Sequence, residues 1–387
     1  MRDEARCATF DTPLGRCGIA WTNRGVAAIH LLGDRDGDAR AWVRRFGEAE
    51  GEPPPPVREA MAAIVLHLER GDRDLSGIPL DWEGIPPFHR RVYEAARALP
   101  PGATTSYGAL AARIGAPGAA RAVGQALAAN RFLLAVPCHR ILAASGRLGG
   151  FSASGGLVTK LRLLALERDA AEAGPLAFDP EAAVAHLRRD PAMAALIDAA
   201  GPFRLRRRGA RDVFDALAHS IVHQQISGRA AAAIYARLAA SFPDGHLGLE
   251  PRRLLRASAD TFRRAGLSGP KTEALRALAR AAVEGALPSF DELRAMDDEV
   301  IVERLRGLRG IGRWTVEMLL MFRLGRPDVW PVDDLGVRKG YAIAHGLAQT
   351  PTPAELAALG ERYRPYRSVA AWYFWRAVEL GGRLRAA

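Results

Sequence analysis

Residues 5–50 alternate apolar and polar positions around turn signals. The stretch ATFDTPLGRCGIAWTNRGVAAIHLL predicts two or three short strands, with Pro13–Leu14–Gly15 and Asn23–Arg24–Gly25 at the turns. The run Pro53–Pro54–Pro55–Pro56 then breaks the chain, and a helix is expected from about Val57 to Glu69. From Pro87 to Glu167 the pattern is mostly helical. Residues 169–180, DAAEAGPLAFDP, lack apolar periodicity and hold two prolines and a glycine, so they read as a linker. Everything beyond is helical with short loops; Phe214, Leu217, Ala218 and Ile221 mark one amphipathic face. The expected organisation is multidomain: a small α/β sheet domain over 1–85, a helical domain over 86–168, a linker over 169–177 and an all-α domain over 178–387.

Composition agrees with a globular chain. Its 387 residues suffice for two or three domains, and 49% hydrophobic with 25% charged residues argues against disorder. No window approaches the ~18 uncharged apolar residues of a membrane helix, so no membrane partner is expected. MRDEARCATFD carries acids where a signal peptide needs a basic start. The three cysteines, Cys7, Cys17 and Cys138, fit neither a disulfide framework nor a zinc or iron–sulfur spacing, which suits a reducing cytoplasm. The net charge of +11 is unevenly spread. Residues 1–89 carry 11 Arg against 15 acids, whereas residues 90–168 carry 11 basic residues against only Glu94 and Glu167. A compact basic stretch of this kind points to a polyanion such as DNA or RNA; an arginine-rich composition bias is the plainer explanation.

Within that stretch, TTSYGALAARIGAPGAARAVGQALAAN holds two short helices. Thr105 or Ser106 caps the first, Gly115 ends it and Pro117 opens the second, the layout of a helix-turn-helix or of any helical hairpin. AVPCHRILAASGRLGGF follows, delivering Pro137–Cys138–His139–Arg140 to a glycine-rich loop. Positive neighbours would lower the thiol's pKa, and a zinc deaminase is excluded because position 141 is Ile rather than Cys. A Cys–His hydrolase stays open on these residues alone. With PCHR, residues 5–168 resemble an O6-alkylguanine-DNA alkyltransferase. The resemblance implies Cys138 as nucleophile, His139 as its base through a water, and Glu167 in LLALE as the acid that orients the histidine. It further implies Arg121 filling the stack left by a flipped guanine, Tyr107 helping rotate the nucleotide, and Asn130 as a hinge near the cysteine. Arg140 is expected to contact DNA or substrate, and Phe151 stands where some members carry a pocket tyrosine. Cys7, Cys17 and His30 do not reproduce the zinc ligands of some members, so no zinc is expected.

In the all-α region, LRGLRGIGRWTVEMLLMF joins two periodic helices through Gly310–Ile311–Gly312, a plain turn or a backbone-gripping hairpin. Val332–Asp333–Asp334–Leu335–Gly336 then leaves a Gly/Pro loop for a helix. With IVHQQISGRAA (221–231), AGLSGPKTEAL (265–275) and RPYRSVAAWYFW (364–375), residues 178–385 resemble the 3-methyladenine-DNA glycosylases of the helix-hairpin-helix superfamily. The resemblance implies Asp334 as the essential carboxylate, with Asp333 a cap or an electrostatic neighbour. Trp314 replaces the lysine of strand-cleaving members, and Trp314 and Trp375 match base-pocket aromatics, with Met318 replacing a third. Gln225 falls at the DNA wedge, and the carbonyls of Arg306, Leu308 and Ile311 at a monovalent Na+ or K+ site; no cysteine lies beyond Cys138 to hold an iron–sulfur cluster.

Together these features imply a monomeric, cofactor-free fusion acting on double-stranded DNA with alkylated bases. It would transfer the alkyl group of O6-alkylguanine irreversibly to Cys138 and excise N-alkylated purines by hydrolysis with Asp334. The alternative is a lesion-binding or sensing protein with one domain catalytically silent; an oxidised-base glycosylase with lyase activity is disfavoured by Trp314.

Overall fold

The structure is a computed structural model that describes residues 5–381 except 34–35, 48–51, 152, 173, 175, 206, 208, 227 and 243–247. It divides into two compact units: Met1–Ala171 with Gln225–Leu267, and Glu172–Gln224 with Ser268–Ala387.

The first unit opens on three antiparallel strands in sequential order, β1 (Arg6–Thr12), β2 (Gly15–Thr22) and β3 (Gly25–Gly33). Both reversals fall where the turn residues stand. Alternation along β2 sends Cys17, Ile19 and Trp21 into the unit's main core, while Ala20, with Cys7, Ala28 and Leu32, packs on Trp42 of α1 (Asp36–Phe46). Gly18 is needed there, since a Cβ would lie 2.6 Å from the Trp42 ring. Next come α2 (Pro55–Arg70), α3 (Pro87–Arg97), β4 (Thr105–Ser106), α4 (Tyr107–Arg113), α5 (Ala120–Ala128), β5 (Ile141–Leu142) and α6 (Gly156–Ala171). The proline run breaks the chain and also starts α2, with proline in its first turn, two residues before the expected Val57. Ser106 caps α4, its Oγ accepting from the Ala109 N–H at 3.0 Å. The second helix of this pair starts at Ala120 rather than at Pro117, because Gly118 has φ +87 and cannot be helical. The expected linker begins inside α6, which runs on to Ala171.

The chain continues through α7 (Pro180–Leu187), α8 (Pro191–Ala200) and α9 (Val213–His223) of the second unit, then α10 (Gly228–Ala240), α11 (Pro251–Arg256) and α12 (Ala259–Ala265) of the first. It returns to the second unit with α13 (Gly269–Val283), α14 (Phe290–Arg294), α15 (Asp298–Arg306), α16 (Arg313–Leu319), α17 (Leu335–Ala344), α18 (Pro353–Leu359) and α19 (Arg367–Leu380). The segment 225–267 thus groups with the sheet-bearing unit, although the sequence pattern assigns it to the all-α region. Phe214, Leu217, Ala218 and Ile221 are buried along α9, as their spacing predicts. Two glycines let α17 and α19 approach closely. A Cβ on Gly340 would fall 1.9 Å from the Phe374 carbonyl oxygen, and one on Gly336 2.8 Å from Trp375 Cδ1. Among the described residues no helix is long and apolar enough to cross a membrane.

Candidate active sites

The first site grows from the edge of the sheet. Ile29 of β3 donates its N–H to the Arg131 carbonyl at 2.8 Å and accepts from the Leu133 N–H at 3.1 Å, so β3 anchors the segment that leads to Cys138. That segment folds sharply, with Leu134 at φ +71. Asn130 braces it from inside: its Nδ2 donates to the Val136 carbonyl at 2.9 Å, and its Oδ1 accepts from the Phe132 N–H at 2.9 Å. Cys138 then starts a single 3-10 turn, Cys138–Arg140, and is only 6% exposed.

Burial pushes the Cys138 thiol up; the Asn130 amide, the Lys160 ammonium and nearby backbone N–H groups pull only part of the way back. The His139 and Arg140 side chains do not lower it as expected from the sequence, because both turn to Glu167 instead. The cation that does act on the sulfur is Lys160, fully buried on α6, its Nζ donating to the Ile141 carbonyl at 2.8 Å and its pKa brought down to about 8 by burial.

Glu167, near the end of α6, collects donors. His139 Nε2 lies 2.9 Å from Oε1, Arg140 Nε lies 2.9 Å from Oε2, and the Gly102 N–H donates to Oε2 at 3.2 Å. Burial opposes the carboxylate's charge, but His139, His67 and Arg140 outweigh it and hold Glu167 far below the usual carboxylate range. With Nε2 committed to Glu167, His139 presents Nδ1, which is buried and has no partner among the described residues. Burial lowers the His139 pKa, Glu167 opposing, so the imidazole is held neutral with Nδ1 free to accept a proton. Arg140, expected to reach DNA, is 3% exposed, and its guanidinium is spent on Glu167 and the Leu99 carbonyl. It supports the carboxylate.

Tyr107 opens α4 half-buried, with burial and then Cys138 raising its pKa. Arg121 stands exposed in the first turn of α5, and Phe151 packs half-buried on the main core. Cys7 and Cys17 lie in the separate cores on either side of the sheet, and burial pushes the Cys17 thiol up to about 12. Among the described residues no group of three or more His, Cys, Asp or Glu could hold a metal ion.

The second site begins at the turn between α15 and α16. Gly310 has φ +81, and a Cβ there would lie 2.3 Å from that of Ala274, so only glycine fits. Gly312 is the N-cap of α16 with open space where a side chain would stand. The turn is tied by Gln224, whose Nε2 donates to the Gly310 carbonyl and to Thr315 Oγ1, each at 3.0 Å. Lys271 Nζ in turn donates to the Val222 and Gln224 carbonyls at 2.8 and 2.7 Å. Leu308 O accepts from the Ile311 N–H at 3.0 Å. Gln225, next to this brace, is exposed and held at φ +58.

Asp334 is gripped from three directions. Its Oδ2 accepts from Trp314 Nε1 at 2.8 Å, and its Oδ1 accepts from Trp375 Nε1 at 2.9 Å and from the Val337 N–H at 2.9 Å. The helix cap of α17 is therefore Asp334 itself rather than Asp333, which is exposed. Trp375 reaches the carboxylate because Gly336 and Gly340 let α19 lie close, and it stacks on Phe322 with centroids 5.8 Å apart. The two tryptophans, expected as pocket walls, are the donors that hold this carboxylate.

Glu317, on α16 beside this site, is buried; its Oε1 accepts from Arg313 Nε at 3.1 Å and its Oε2 has no partner among the described residues. Burial pushes its carboxyl up to about 7 despite Arg313, whose main partner is Glu299. Such a group stabilises the fold fully below the ordinary value of 4.5, and that contribution is lost as pH rises through 7. Glu317→Gln should therefore melt higher than the parent protein above about pH 7, with the gap closing toward about pH 5. Thermal unfolding across that range checks this, and equal melting temperatures throughout would contradict it.

Two family models match this chain: "6-O-methylguanine DNA methyltransferase, DNA binding domain" over residues 87–169, and "HhH-GPD superfamily base excision DNA repair protein" over residues 218–365. A methylated-DNA–protein-cysteine methyltransferase of Mycolicibacterium paratuberculosis is 51% identical over 171 residues, 44% of this chain and 97% of its own length. DNA-3-methyladenine glycosylase 1 of Schizosaccharomyces pombe is 35% identical over 170 residues, 44% of this chain and 74% of its own. The chain belongs to both families. It joins an alkyltransferase to a helix-hairpin-helix glycosylase of DNA repair. A DNA base-flipping protein of Thermus thermophilus is also similar, 47% identical over 157 residues, 40% of this chain and 95% of its own. The glycosylase match opens inside α9 and takes in Gln224, Lys271, the hairpin glycines, Trp314 and Asp334.

Gln224, Lys271, Lys160 and His67 are the site residues that sequence reasoning missed. Gln224 stood in view beside Gln225 in HQQIS, but only the fold shows which glutamine points to the hairpin. Lys160 is one of three lysines in an arginine-rich chain, a signal that could have singled it out.

Proposed function

We propose that the chain carries out both repair reactions, irreversible alkyl transfer from O6-alkylguanine to Cys138 and hydrolytic release of N-alkylated purines with Asp334. One observation carries the reading: each unit holds one reactive side chain on a support built from buried or oriented partners, Glu167 behind His139 in the first and two indole N–H groups behind Asp334 in the second. We assign residues 1–168 to the alkyltransferase and 178–387 to the glycosylase.

For transfer, the target guanine leaves the base stack, with Arg121 taking its place and Tyr107 and Asn130 shaping the entry. A water passes the Cys138 proton to His139 Nδ1 while Glu167 stabilises the imidazolium. The sulfur attacks the alkyl carbon, a C–S bond forms, the C–O6 bond breaks, and guanine departs with the electron pair. The thioether has no route back.

For excision, a cationic N-alkylpurine is already a good leaving group, and the aromatic pocket attracts it by about 0.5–2 kcal/mol per contact. Asp334 offsets the charge developing on the sugar and orients water. The hairpin glycines approach a phosphate, and the carbonyls of Arg306, Leu308 and Ile311 would hold a monovalent cation there, Leu308 O keeping one lone pair beside its bond from Ile311. Such an ion would supply positive charge near the phosphate. Because Trp314 stands in place of a Schiff-base lysine, the product is an intact abasic strand. A duplex with one hypoxanthine or 3-methyladenine analogue should be cut only after hot alkali; a protein–DNA adduct trapped by borohydride would overturn this.

The similarity to a base-flipping protein favours a second reading, in which the first unit only recognises and flips lesions. Its test is whether Cys138 becomes alkylated.

DNA affinity should fall steeply with added salt, since both parts hold DNA mainly through phosphates. Arg121→Ala should slow transfer more than it weakens binding, because a residue filling the vacated stack acts on flipping. Single-turnover rates and binding titrations on the same duplex compare the two, and equal losses would contradict the role.

A further inference from the structure

The alkyl-transfer reading uses one histidine on Glu167, and the structure places two there. Helix α2 ends at Gly71, whose φ is +75 and whose Cβ, were there one, would lie 2.3 Å from the Leu166 carbonyl oxygen. The end of α2 therefore abuts α6 at the residue before Glu167. One turn back, His67 is fully buried with Nε2 3.2 Å from Glu167 Oε1, the oxygen that His139 Nε2 approaches to 2.9 Å. Neither ring nitrogen of His67 has an aligned hydrogen-bond partner among the described residues. A buried imidazole with no aligned partner is an unusual feature of a core, and here it borders the carboxylate that orients the reaction's base.

We propose that His67 is a positioning residue for alkyl transfer: as a second imidazole on the Glu167 carboxylate, it opposes positive charge on His139 and keeps His139 Nδ1 free to lower pH than a single imidazole would. The inference rests on the alkyl-transfer reading given above. The charged and titratable groups around His67 are Glu167 on α6 and His139 and Arg140 on the 3-10 turn. Arg140 is a permanent cation that already engages both Glu167 oxygens. A proton on His139 is therefore opposed by the positive charge of Arg140. Two imidazoles face one oxygen, so the charge of His67 discourages a proton on His139. The His139 pKa is lowered by burial first, and the charges of Arg140 and His67 act in the same direction against Glu167. Protonated at Nδ1, His139 could not take the Cys138 proton. Removing His67 leaves His139 as the only imidazole on Glu167, and its proton affinity must rise.

The test follows the His139 ring by NMR in the full chain with 15N-labelled histidine, across pH, for the parent, His67→Gln and His67→Phe. Gln keeps a polar group facing Glu167 without a charge, and Phe fills the volume. The His139 midpoint is expected to rise by roughly one pH unit in both variants. The acid limb of the single-turnover transfer rate should rise with it, leaving the variants several-fold slower than the parent near pH 6, with the gap narrowing in alkali. An unchanged His139 midpoint in both variants, or an equal loss of rate at every pH, would overturn the proposal. Because the ring titration does not depend on transfer, a parent protein that fails to transfer would refute the alkyl-transfer reading while leaving His67 tested.

Discussion

Asp334→Asn will slow release of an N-alkylated purine by about 10²–10³-fold, the range for losing one oriented electrostatic partner of a transition state. The substitution is chosen for what it preserves. Asparagine keeps Oδ1, which can still accept from the Val337 N–H and from Trp375 Nε1, so the cap of α17 and the seat of Trp375 survive. What is lost is the negative charge, together with the acceptor that faces Trp314 Nε1. DNA binding and transfer to Cys138 should be unaffected. Asp334→Ala would also remove the cap, at about 0.5–2 kcal/mol of stability, and strand two indole N–H groups, so its loss of activity would mix two causes. Asp333→Asn should have a mild effect, because that carboxylate is exposed and does not cap the helix. Single-turnover excision by the two asparagine variants decides the matter. Loss in Asp333→Asn with activity kept in Asp334→Asn would overturn the assignment.

Exposure to O6-methylguanine DNA will add one methyl group in place of the thiol hydrogen, mapped to Cys138, and Cys138→Ser will abolish it. The other two cysteines serve as internal controls. Cys7 and Cys17 are 1% and 0% exposed, and burial holds the Cys17 thiol near 12, so neither sulfur is open to DNA. His139→Ala should slow transfer by about 10²–10⁴-fold, the usual value of a positioned general base, because the Cys138 proton then has no acceptor. Peptide mapping and quenched time courses read both effects. Label on Cys7 or Cys17, or several turnovers per protein, would refute the single-use mechanism.

Much of this architecture could be read directly from the chain, and the remainder shows where local patterns stop. The three strands follow from alternation and from glycines at both reversals, and Ser106 caps α4 as its position suggests. PCHR and the aspartate pair stood out because reactive residue types sit next to turn formers. Pro117, a good first helical residue, predicts a start of α5 three residues too early, whereas Gly118 adopts a positive φ that local propensity does not reveal. Arg140 is expected at DNA or substrate; its partner, Glu167, is distant in sequence and arrives only through packing of α6. The same holds for His67 and Lys160, whose roles depend on helices converging behind the thiol. In the glycosylase part, no spacing rule shows that Trp314 and Trp375 share one carboxylate, since their meeting depends on the close approach of α17 and α19.

The most direct measurement uses one sample of the full chain and two labelled duplexes, one with O6-methylguanine and one with a 3-methyladenine analogue or hypoxanthine. Two activities in one chain predict transfer of methyl label to protein that stops at one equivalent on Cys138, alongside repeated release of the purine base from the second duplex. Failure of either signal from folded, DNA-binding protein would contradict the claim, leaving a chain with one working site and one that only recognises lesions.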